Sequence, residues 1–352
     1  MLRTLLMPCA GRSSRYPGVR PKWMLTLPDG QLALQRAAAS VSRDGWDRIV
    51  IAVRQDHEQS YGCRALLNRA FPGAEVIILA EETRGPADTV VQMLRRANVT
   101  GGFAVKDADS FFDPSPVPGG NFVSISDLRE TPSMSNVGAK SFAIINGDGL
   151  VVEMVEKSVA SNFVCVGLYG FSDAAIYQTH FNAIAQESAA GEIFVSHVMN
   201  RAIAAGLAVV PHRAQGLIDV GTLEDWRRHV RPRGTIICDL DGIVFRNHSR
   251  WFPPYWEDAD EPLPENVATL RDWQAAGAQL IFMTARPEEY RAKTQATLEG
   301  LGLKAHALIM DCLHGRRFLV NDHAASNPFP SAVGISVPRD TQMLGDQLKE
   351  WR

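Results

Sequence analysis

The sequence predicts two α/β domains, each built around a mostly parallel β-sheet. The chain has 352 residues, whereas one domain usually has roughly 100 to 200. Short apolar runs alternate with helical patterns, as they do in βαβ units. The alternation is interrupted at 231–235 and starts again with the apolar run after Thr235. We therefore place the domain boundary near Pro232, with domains at 1–231 and 234–352.

The elements of both domains are predicted in chain order from these patterns. In the first domain, strands are expected at 2–7, 48–53, 76–79, 102–105, 122–126 and 208–211, and helices at 31–41, 66–70, 87–97 and 223–229. The segment 136–168 is predicted to form hairpins, because Asn146-Gly147-Asp148-Gly149 is a turn sequence. In the second domain, strands are expected at 235–238, 280–283 and 318–322.

Composition excludes several classes of protein. Hydrophobic residues make up 45% and charged residues 21% of the chain, which is ordinary for a globular protein. The net charge of −3 does not favour a nucleic-acid partner, and we interpret Arg227, Arg228, Arg231 and Arg233 as a solvated face or linker. The five cysteines are far apart and form no C-x-x-C pair, so neither a disulfide framework nor a zinc site is expected. No apolar stretch approaches the roughly 18 residues that span a bilayer, so we expect a cytoplasmic protein without a membrane partner.

A loop of small residues follows the first predicted strand. It comprises Ala10, Gly11, Arg12, Ser13, Ser14 and Arg15. Backbone N–H groups of such a loop can converge on phosphate oxygens, and Arg15 and Lys22 add cationic donors. Taken alone, these residues fit a triphosphate-binding loop and an ordinary turn equally well.

The loop resembles the opening of the sugar-phosphate nucleotidyltransferase family, A-G-x-G/S-S-R followed by P-K. Further segments match that family in its order: Glu82-Thr83-Arg84-Gly85-Pro86-Ala87, Lys106-Asp107-Ala108-Asp109, Glu156-Lys157, Gly191-Glu192-Ile193-Phe194 and Asp219-Val220-Gly221-Thr222. The resemblance spans residues 7–222. It implies a Rossmann-like nucleotidyltransferase domain with a mixed, mostly parallel sheet.

The resemblance also implies roles for individual residues. Nucleotide binding would involve Ala10, Gly11, Arg12, Ser13, Ser14, Arg15, Lys22, Glu82, Thr83, Gly85 and Ala87, and acceptor binding Glu156, Lys157 and Glu192. Arg15, Lys22 and Lys157 would take part in catalysis. Asp109 and Asp219 would hold Mg²⁺, which prefers oxygen ligands and bridges nucleotide phosphates.

Simpler explanations remain open for some of these residues. Asp109 could cap a helix, Asp219 could be a turn residue and Lys157 a surface lysine, while Asp107 is a possible helper to the metal site. The segment from Glu82 to Thr89 looks more like that of cytidylyltransferases acting on small phosphorylated acceptors. CTP is therefore the favoured NTP, with a phosphorylated sugar or small polyol as the acceptor.

The second domain opens with an apolar run that ends in Asp239-Leu240-Asp241-Gly242. Strand alternation points the two carboxylates to the same side, where one could attack phosphorus and the other protonate the leaving oxygen. A Ca²⁺ loop or an acidic turn is the alternative, although the apolar residues at 243–245 exclude an EF-hand.

This D-x-D-G spacing resembles motif I of the haloacid dehalogenase superfamily. Thr284, after the run at 280–283, is similar to motif II, and Asp322, after 318–321, is similar to motif IV. The resemblance covers about residues 234 to 345 and implies a Rossmann-like phosphatase domain with a minimal cap. In that domain Asp239 would be the nucleophile, Asp241 the general acid/base and Thr284 a phosphoryl ligand, with Mg²⁺ held by Asp239, Asp241 and Asp322.

Two further features of this domain bear on its activity. The lysine of motif III has no clear counterpart, and Arg317 is the candidate to replace it, although guanidinium and ammonium groups are not interchangeable. The aromatic segment at 251–256 is either a lid over the phosphate pocket or a hydrophobic patch. The segments at 327–332 and 338–340 look like those of a subgroup associated with capsule and surface-polysaccharide biosynthesis.

The sequence thus predicts a bifunctional, Mg²⁺-dependent enzyme. One alternative is a nucleotidyltransferase whose second domain is a catalytically silent, metabolite-binding regulator. Another is a scaffold of a glycan pathway, which the paired carboxylates disfavour because idle acidic pairs repel each other. The oligomeric state is left open, with a homo-oligomer as one option.

Overall fold

The computed structural model describes residues 4–42, 46–131, 134–187, 191–247, 256, 259–322, 324 and 331–351. The chain divides into two compact units, Met1–Asp225 and Trp226–Arg352. Most of the aromatic segment at 251–256 and of the segment at 327–332 lies outside the described residues.

The first unit is a mixed α/β structure. Its described strands are β1 (Thr4–Cys9), β2 (Arg48–Arg54), β3 (Glu75–Leu79), β4 (Phe103–Lys106), β5 (Ser110–Phe111), β6 (Phe122–Asp127), β7 (Ser141–Ile145), β8 (Val151–Glu156), β9 (Phe163–Phe171), β10 (Val210–Arg213) and β11 (Ile218–Asp219). Seven strands of the main sheet follow the order β10-β6-β9-β4-β1-β2-β3.

The parallel half of this sheet is buried on both faces. β1 pairs in parallel with β2 and β4, and β2 pairs in parallel with β3. All four residues of β4 and nearly all of β1 are buried. Strands buried on both faces have near-continuous apolar sequences, which explains why these strands could be located from their sequence.

The other half of the sheet is antiparallel and carries the predicted hairpin. β9 runs antiparallel to both β4 and β6, and β7 pairs with β8 and β9. The turn between β7 and β8 closes with a hydrogen bond from Gly149 N to Asn146 O of 3.1 Å. The turn prediction at 146–149 is therefore confirmed.

Helices connect these strands. They are α1 (Ala33–Ala39), α2 (Gln55–Tyr61), α3 (Cys63–Ala70), α4 (Pro86–Arg96), α5 (Ala174–Glu187) and α6 (Val195–Ala204). A further helix, α7 (Leu223–Val230), begins in the first unit and ends in the second. α4 begins with a proline, whose missing N–H and fixed φ suit the first helical position. Its apolar face, including Val90, Met93 and Leu94, is buried in the core of the unit.

The second unit contains a smaller parallel sheet. Its described strands are β12 (Thr235–Asp239), β13 (Gln279–Met283) and β14 (Ala307–Ile309), and its helices are α8 (Pro264–Ala275), α9 (Arg291–Gly300) and α10 (Leu344–Leu348). The strand order is β12-β13-β14, with both pairs parallel. Phe245, Leu270 and Phe282 are fully buried in its core.

The strand predicted at 318–322 is not formed. These residues have no regular secondary structure, and Phe318 and Val320 are 84% and 90% exposed. A short apolar run satisfies the sequence pattern of a strand, but a strand also needs a neighbour for its backbone hydrogen bonds. Among the described residues, none pairs with this segment.

The helices can also be compared with a lipid bilayer. In the described part of the chain, no helix combines the length and the apolar character that crossing a membrane requires.

Candidate active site

Two carboxylates meet where the small strands β5 and β11 pair. Asp109 immediately precedes β5, and Asp219 lies opposite Ser110 in the antiparallel register. The backbone N–H of Val220 donates to the carbonyl of Asp109 at 2.9 Å. Strand pairing therefore brings Asp109 and Asp219 together, although 110 positions separate them in the sequence.

Three cationic side chains surround this pair. Lys22 Nζ donates to Asp109 Oδ2 at 2.6 Å, and Arg15 Nη2 lies 3.9 Å from the same oxygen. The ammonium of Lys140 forms an ion pair with Asp219 Oδ2. The sequence predicted Arg15 and Lys22 but not Lys140, which belongs to none of the matched segments.

The surroundings perturb the carboxyl groups in different directions. Burial raises the pKa of Asp109, but Lys22, Arg15 and Lys140 together outweigh that effect and hold it well below its usual range. Burial raises the pKa of Asp219 above its usual range, against the lowering effect of Lys140. Burial and the charge of Asp109 raise the pKa of Asp107 to about 6.

A buried lysine holds the turn that carries Asp109. Lys106 is fully buried, and its Nζ donates to the carbonyls of Asp107 and Ser110 and to Ser110 Oγ at 2.8 to 2.9 Å. These acceptors flank Asp109 on both sides in sequence. Because burial disfavours the charged form, it lowers the pKa of Lys106 to about 8.

The donor set of the pair suits a hard cation. Asp109 and Asp219 offer only carboxylate oxygens, and their side chains are 15% and 13% exposed. Within the described residues, no cluster of three or more His, Cys, Asp or Glu side chains could enclose a metal. Two carboxylates are nevertheless a donor set that fits Mg²⁺, which commonly takes one or two protein carboxylates and completes its shell with water and phosphate oxygens.

The predicted nucleotide loop follows β1 at the same edge of the sheet. Ala10 is buried, whereas Gly11, Arg12, Ser14 and Arg15 are exposed. The loop turns at Ser13, whose φ is +52°. Ser13 Oγ also accepts a hydrogen bond from Lys22 N at 3.3 Å. This contact joins the loop to the segment that carries Lys22.

Several charged side chains cluster where the neighbouring parallel strands β1, β2 and β3 end. Arg12 forms an ion pair with Glu82, and Arg54 Nη1 lies 3.9 Å from Glu82 Oε1. Arg54 Nε and Nη2 both donate to Asp56 at 2.8 Å. Its Nη1 is buried and donates to no acceptor in the described part of the chain. Arg54 is not in the predicted site, although its position at a strand end was a usable signal.

The segment with Thr83, Gly85 and Ala87 packs on the segment with Glu192. Ile193 N donates to Arg84 O at 2.7 Å, and Ala87 N donates to Ile193 O at 3.1 Å. Thr83 Oγ1 and Thr89 Oγ1 are hydrogen-bonded at 2.8 Å. The structure thus brings two of the predicted segments into direct contact.

The predicted acceptor residues Glu156 and Lys157 are not directed at the carboxylate pair. Glu156 Oε2 accepts hydrogen bonds from Ser141 Oγ and Ser196 Oγ, both at 2.6 Å. Lys157 is exposed, and its Nζ lies 4.5 Å from the centre of the Phe194 ring.

The second unit places Asp239 and Asp241 at the end of β12. Thr284 Oγ1 donates to Asp241 Oδ2 at 2.9 Å, and Arg286 Nη2 donates to Asp241 Oδ1 at 2.7 Å. Arg286 is 3% exposed and also donates to Asp260 at 2.8 Å. Asp241 therefore acts as an acceptor in a buried network, in which Arg286 and Asp260 were not predicted.

Asp239 has a different environment. The residue is open to solvent, but neighbouring groups crowd its carboxyl. This desolvation raises the pKa of Asp239, whereas the positive charges of Arg317 and Arg339 lower it. Arg317, the predicted replacement for the motif III lysine, is thus close enough to lower the pKa of Asp239, and so is Arg339.

The three predicted metal ligands of this unit are not assembled. Asp322 is exposed, and its backbone N–H donates a local hydrogen bond to Asn321 Oδ1 at 3.0 Å. Among the described residues, which include all three aspartates, no group of three or more His, Cys, Asp or Glu side chains is placed to hold a metal ion. As arranged here, these residues do not fit a shared Mg²⁺ ion.

Comparison with known proteins agrees with the geometry of the first unit. Residues 6–117 match the family model of the MobA-like NTP transferase domain. No curated protein sequence matches the chain.

Solved structures with a similar fold include two nucleotide-handling enzymes. One is the nucleoside-diphosphate-sugar pyrophosphorylase from Vibrio cholerae RC9, with 22% identity, a TM-score of 0.53 and coverage of 64% of this chain and 99% of that one. The other is the inositol-1-phosphate CTP transferase from T. maritima, with 16% identity, a TM-score of 0.53 and coverage of 64% and 91%. At these identities the likeness shows the fold alone.

The contact between the segments of Gly85 and Glu192 leads to a stability prediction. Gly85 has a φ of +109°, and a Cβ there would lie 2.6 Å from Glu192 Cγ and 2.8 Å from Ile193 O. We expect Gly85→Ala to destabilise the protein by at least about 1–3 kcal/mol, because backbone strain of this kind costs that much without the steric clash. Thermal denaturation would measure the loss.

Gly119→Ala is the matched control, because a Cβ at Gly119 meets nothing within 4 Å and no positive φ is involved. Equal melting temperatures for the two variants would contradict the packing described here.

Proposed function

We propose that the first domain, residues 1–231, transfers a nucleotidyl group from an NTP to a phosphorylated small molecule and releases pyrophosphate. The observation that carries this proposal is the Asp109 and Asp219 pair, which Arg15, Lys22 and Lys140 surround. Residues 6–117 of the same unit are similar to the MobA-like NTP transferase domain. The cations can bind a polyanion, while the carboxylates can bind the cation that accompanies it.

Each part of the site has a task in this reaction. The loop after β1 offers backbone N–H groups to phosphate oxygens, and Arg15 and Lys22 neutralise the triphosphate. A phosphate oxygen of the acceptor attacks the α-phosphorus, a new P–O bond forms, and the bond to the β-phosphate bridging oxygen breaks. Pyrophosphate leaves with that oxygen. Positioning and charge neutralisation are what such a transfer chiefly requires.

Mg²⁺ fits this proposal as the cation held by Asp109 and Asp219. When bound, it would neutralise charge on the phosphate oxygens. Lys106 supports this role by fixing the turn on which Asp109 lies.

The proposed reaction predicts the effect of removing one carboxylate. Asp219→Ala should reduce pyrophosphate release at least about 100-fold, the scale expected when an electrostatic group of an active site is removed. Any phosphatase activity of the same variant should stay within about threefold of wild type, because the second activity would use a separate site. Coupled assays for pyrophosphate and for inorganic phosphate would measure both.

Asp148→Ala is the control for this experiment, since Asp148 is an exposed carboxylate in the turn between β7 and β8. Equal loss of both activities in folded Asp219→Ala protein would contradict two separate centres.

We further propose that the base bears an exocyclic amine and that it is cytosine. The Glu82 side chain is 49% exposed beyond the end of β3 and can accept a hydrogen bond from an amino group. Cytosine carries such an amine, as adenine and guanine do, and the choice of cytosine among them rests on the resemblance of the segment from Glu82 to Thr89 to that of cytidylyltransferases. The similar fold of the inositol-1-phosphate CTP transferase is compatible with this choice.

Nucleotide binding tests the proposed base. In a thermal-shift titration with Mg²⁺, CTP should stabilise the protein more than UTP, GTP, ATP or dTTP, by about 2.7 kcal/mol at 100 times its Kd. Glu82→Gln should reduce the margin of CTP over UTP, because an amide can also donate to the uracil carbonyl. A clear preference of the wild type for GTP or dTTP would overturn the choice of cytosine.

For the second domain, residues 234–352, we propose hydrolysis of a phosphomonoester at Asp239. Its carboxylate would attack phosphorus, the bond to the alcohol oxygen would break, and water would then hydrolyse the aspartyl phosphate. The supporting observations are the solvent access of Asp239 and the nearby charges of Arg317 and Arg339. Thr284 is placed to orient Asp241.

One arrangement favours the regulatory alternative. Asp241 accepts hydrogen bonds from Thr284 and Arg286, whereas a general acid must donate a proton to the leaving oxygen. Asp239, Asp241 and Asp322 also do not form a group that could hold a metal ion, and both findings support a domain that binds a phosphorylated metabolite without hydrolysing it.

The substitution Asp239→Asn distinguishes a phosphatase from a regulatory domain. Asp239→Asn keeps the shape of the side chain but removes the nucleophile, so it should abolish phosphomonoester hydrolysis while leaving the melting temperature unchanged. Beryllium fluoride, which mimics a phosphoryl group on aspartate, should bind the wild type and not this variant.

Asp311→Asn is a suitable control, because Asp311 is an exposed carboxylate beyond β14. If the wild type hydrolyses no phosphomonoester of a broad panel with Mg²⁺ present and does not bind beryllium fluoride, the proposed hydrolysis is contradicted and the regulatory alternative is favoured.

A further inference from the structure

Lys140 connects the hairpin of β7 and β8 to the carboxylate pair of the proposed site. It immediately precedes β7, and its carbonyl accepts a hydrogen bond from Lys157 N at 3.0 Å. The hairpin of β7 and β8 therefore holds its backbone in place. Its side chain leaves the hairpin and reaches Asp219, and the two side chains are 15% and 13% exposed.

Several charged groups converge around this ammonium. A Cβ at Gly221 would lie 3.1 Å from Lys140 Nζ, 3.1 Å from Asp219 Oδ1 and 3.6 Å from Arg15 Nη1. The ammonium of Lys140, the guanidinium of Arg15 and the carboxylate of Asp219 thus lie around the space where a side chain at position 221 would be, and glycine has no side chain to fill it. An anion near this point would be contacted from both the nucleotide loop and the hairpin.

The other lysine of the hairpin points elsewhere. Lys157 Nζ lies over the Phe194 ring, and the φ of Lys157 is +53°. Of these two lysines, Lys140 is the one whose ammonium reaches the carboxylate pair. The residue suited to contact an acceptor phosphate is therefore not the one that the sequence motif indicates.

We propose that Lys140 binds the phosphate of the acceptor and that, before the nucleotide and its metal arrive, its ammonium neutralises Asp219 in the place of that metal. This inference rests on the proposed nucleotidyl transfer and assigns a further residue to it. A divalent cation held by Asp219 would compete with the ammonium for the carboxylate, so Lys140 would be released when the metal binds. Because Arg15 Nη1 approaches the same point beside Gly221, the released ammonium and Arg15 would together bind a phosphate dianion.

Metal binding without nucleotide gives the first test. Mn²⁺ alone, followed by electron paramagnetic resonance, should bind Lys140→Met about fivefold more tightly than wild type, because the competing ammonium is gone. Lys304→Met, at an exposed lysine of the second unit, is the control and should bind Mn²⁺ as the wild type does. Equal Mn²⁺ affinity of Lys140→Met and wild type would overturn the proposed competition.

Phosphate binding gives the second test. With Mn²⁺ present, inorganic phosphate should raise the melting temperature of wild type and of Lys140→Arg, but not of Lys140→Met. A purely structural role of Lys140 would lower the melting temperature and leave the phosphate response intact, which would contradict the proposal. Lys140→Gln replaces Lys140→Met if the latter does not fold.

These binding tests are independent of turnover. Failure of wild type to release pyrophosphate from any NTP would contradict the proposed function, whereas failure of the Mn²⁺ and phosphate responses would contradict the role of Lys140 alone.

Discussion

The proposed site of the first unit depends on neutralising the negative charges of two carboxylates that its strands bring together. Asp109 and Asp219 meet through the pairing of β5 with β11, and like charges this close disfavour each other's ionised form. Lys22 and Lys140 each neutralise one of them. The electrostatic repulsion between the carboxylates is therefore offset by the positive charges of these lysines. The same lysine side chains would bind phosphate when an anionic substrate arrives.

The surrounding fold serves this arrangement. Parallel strands β1 to β4 end at one edge, where the loop after β1, the turn with Asp109 and the charged group around Glu82 all lie. The buried Lys106 fixes the turn that carries Asp109 through hydrogen bonds to the carbonyls of Asp107 and Ser110. The antiparallel half of the sheet supplies the hairpin that positions Lys140. A rigid sheet thus carries the polar groups of the site on its connecting loops.

The sequence was informative where one local pattern determined the structure. Buried parallel strands have continuous apolar sequences, so β1 to β4 were predicted nearly at their observed positions. Lys140 was missed because its partner Asp219 is distant in sequence and only the folded sheet brings the two together. The strand predicted at 318–322 was wrong because apolar residues alone do not provide a pairing neighbour. The roles of Asp239, Asp241 and Asp322 remain predictions, and of the three only Asp322 lies in that segment.

The central claim is that the carboxylate pair and its cations support nucleotidyl transfer to a phosphorylated acceptor. Phosphorus-31 NMR of the full chain tests it most directly, with Mg²⁺, each of the four NTPs or dTTP, and sugar 1-phosphates or small phosphorylated alcohols. We predict that one combination gives equal amounts of inorganic pyrophosphate and of a new diphosphate linkage between nucleotide and acceptor. Formation of inorganic phosphate alone, or no change with any combination, would contradict the claim.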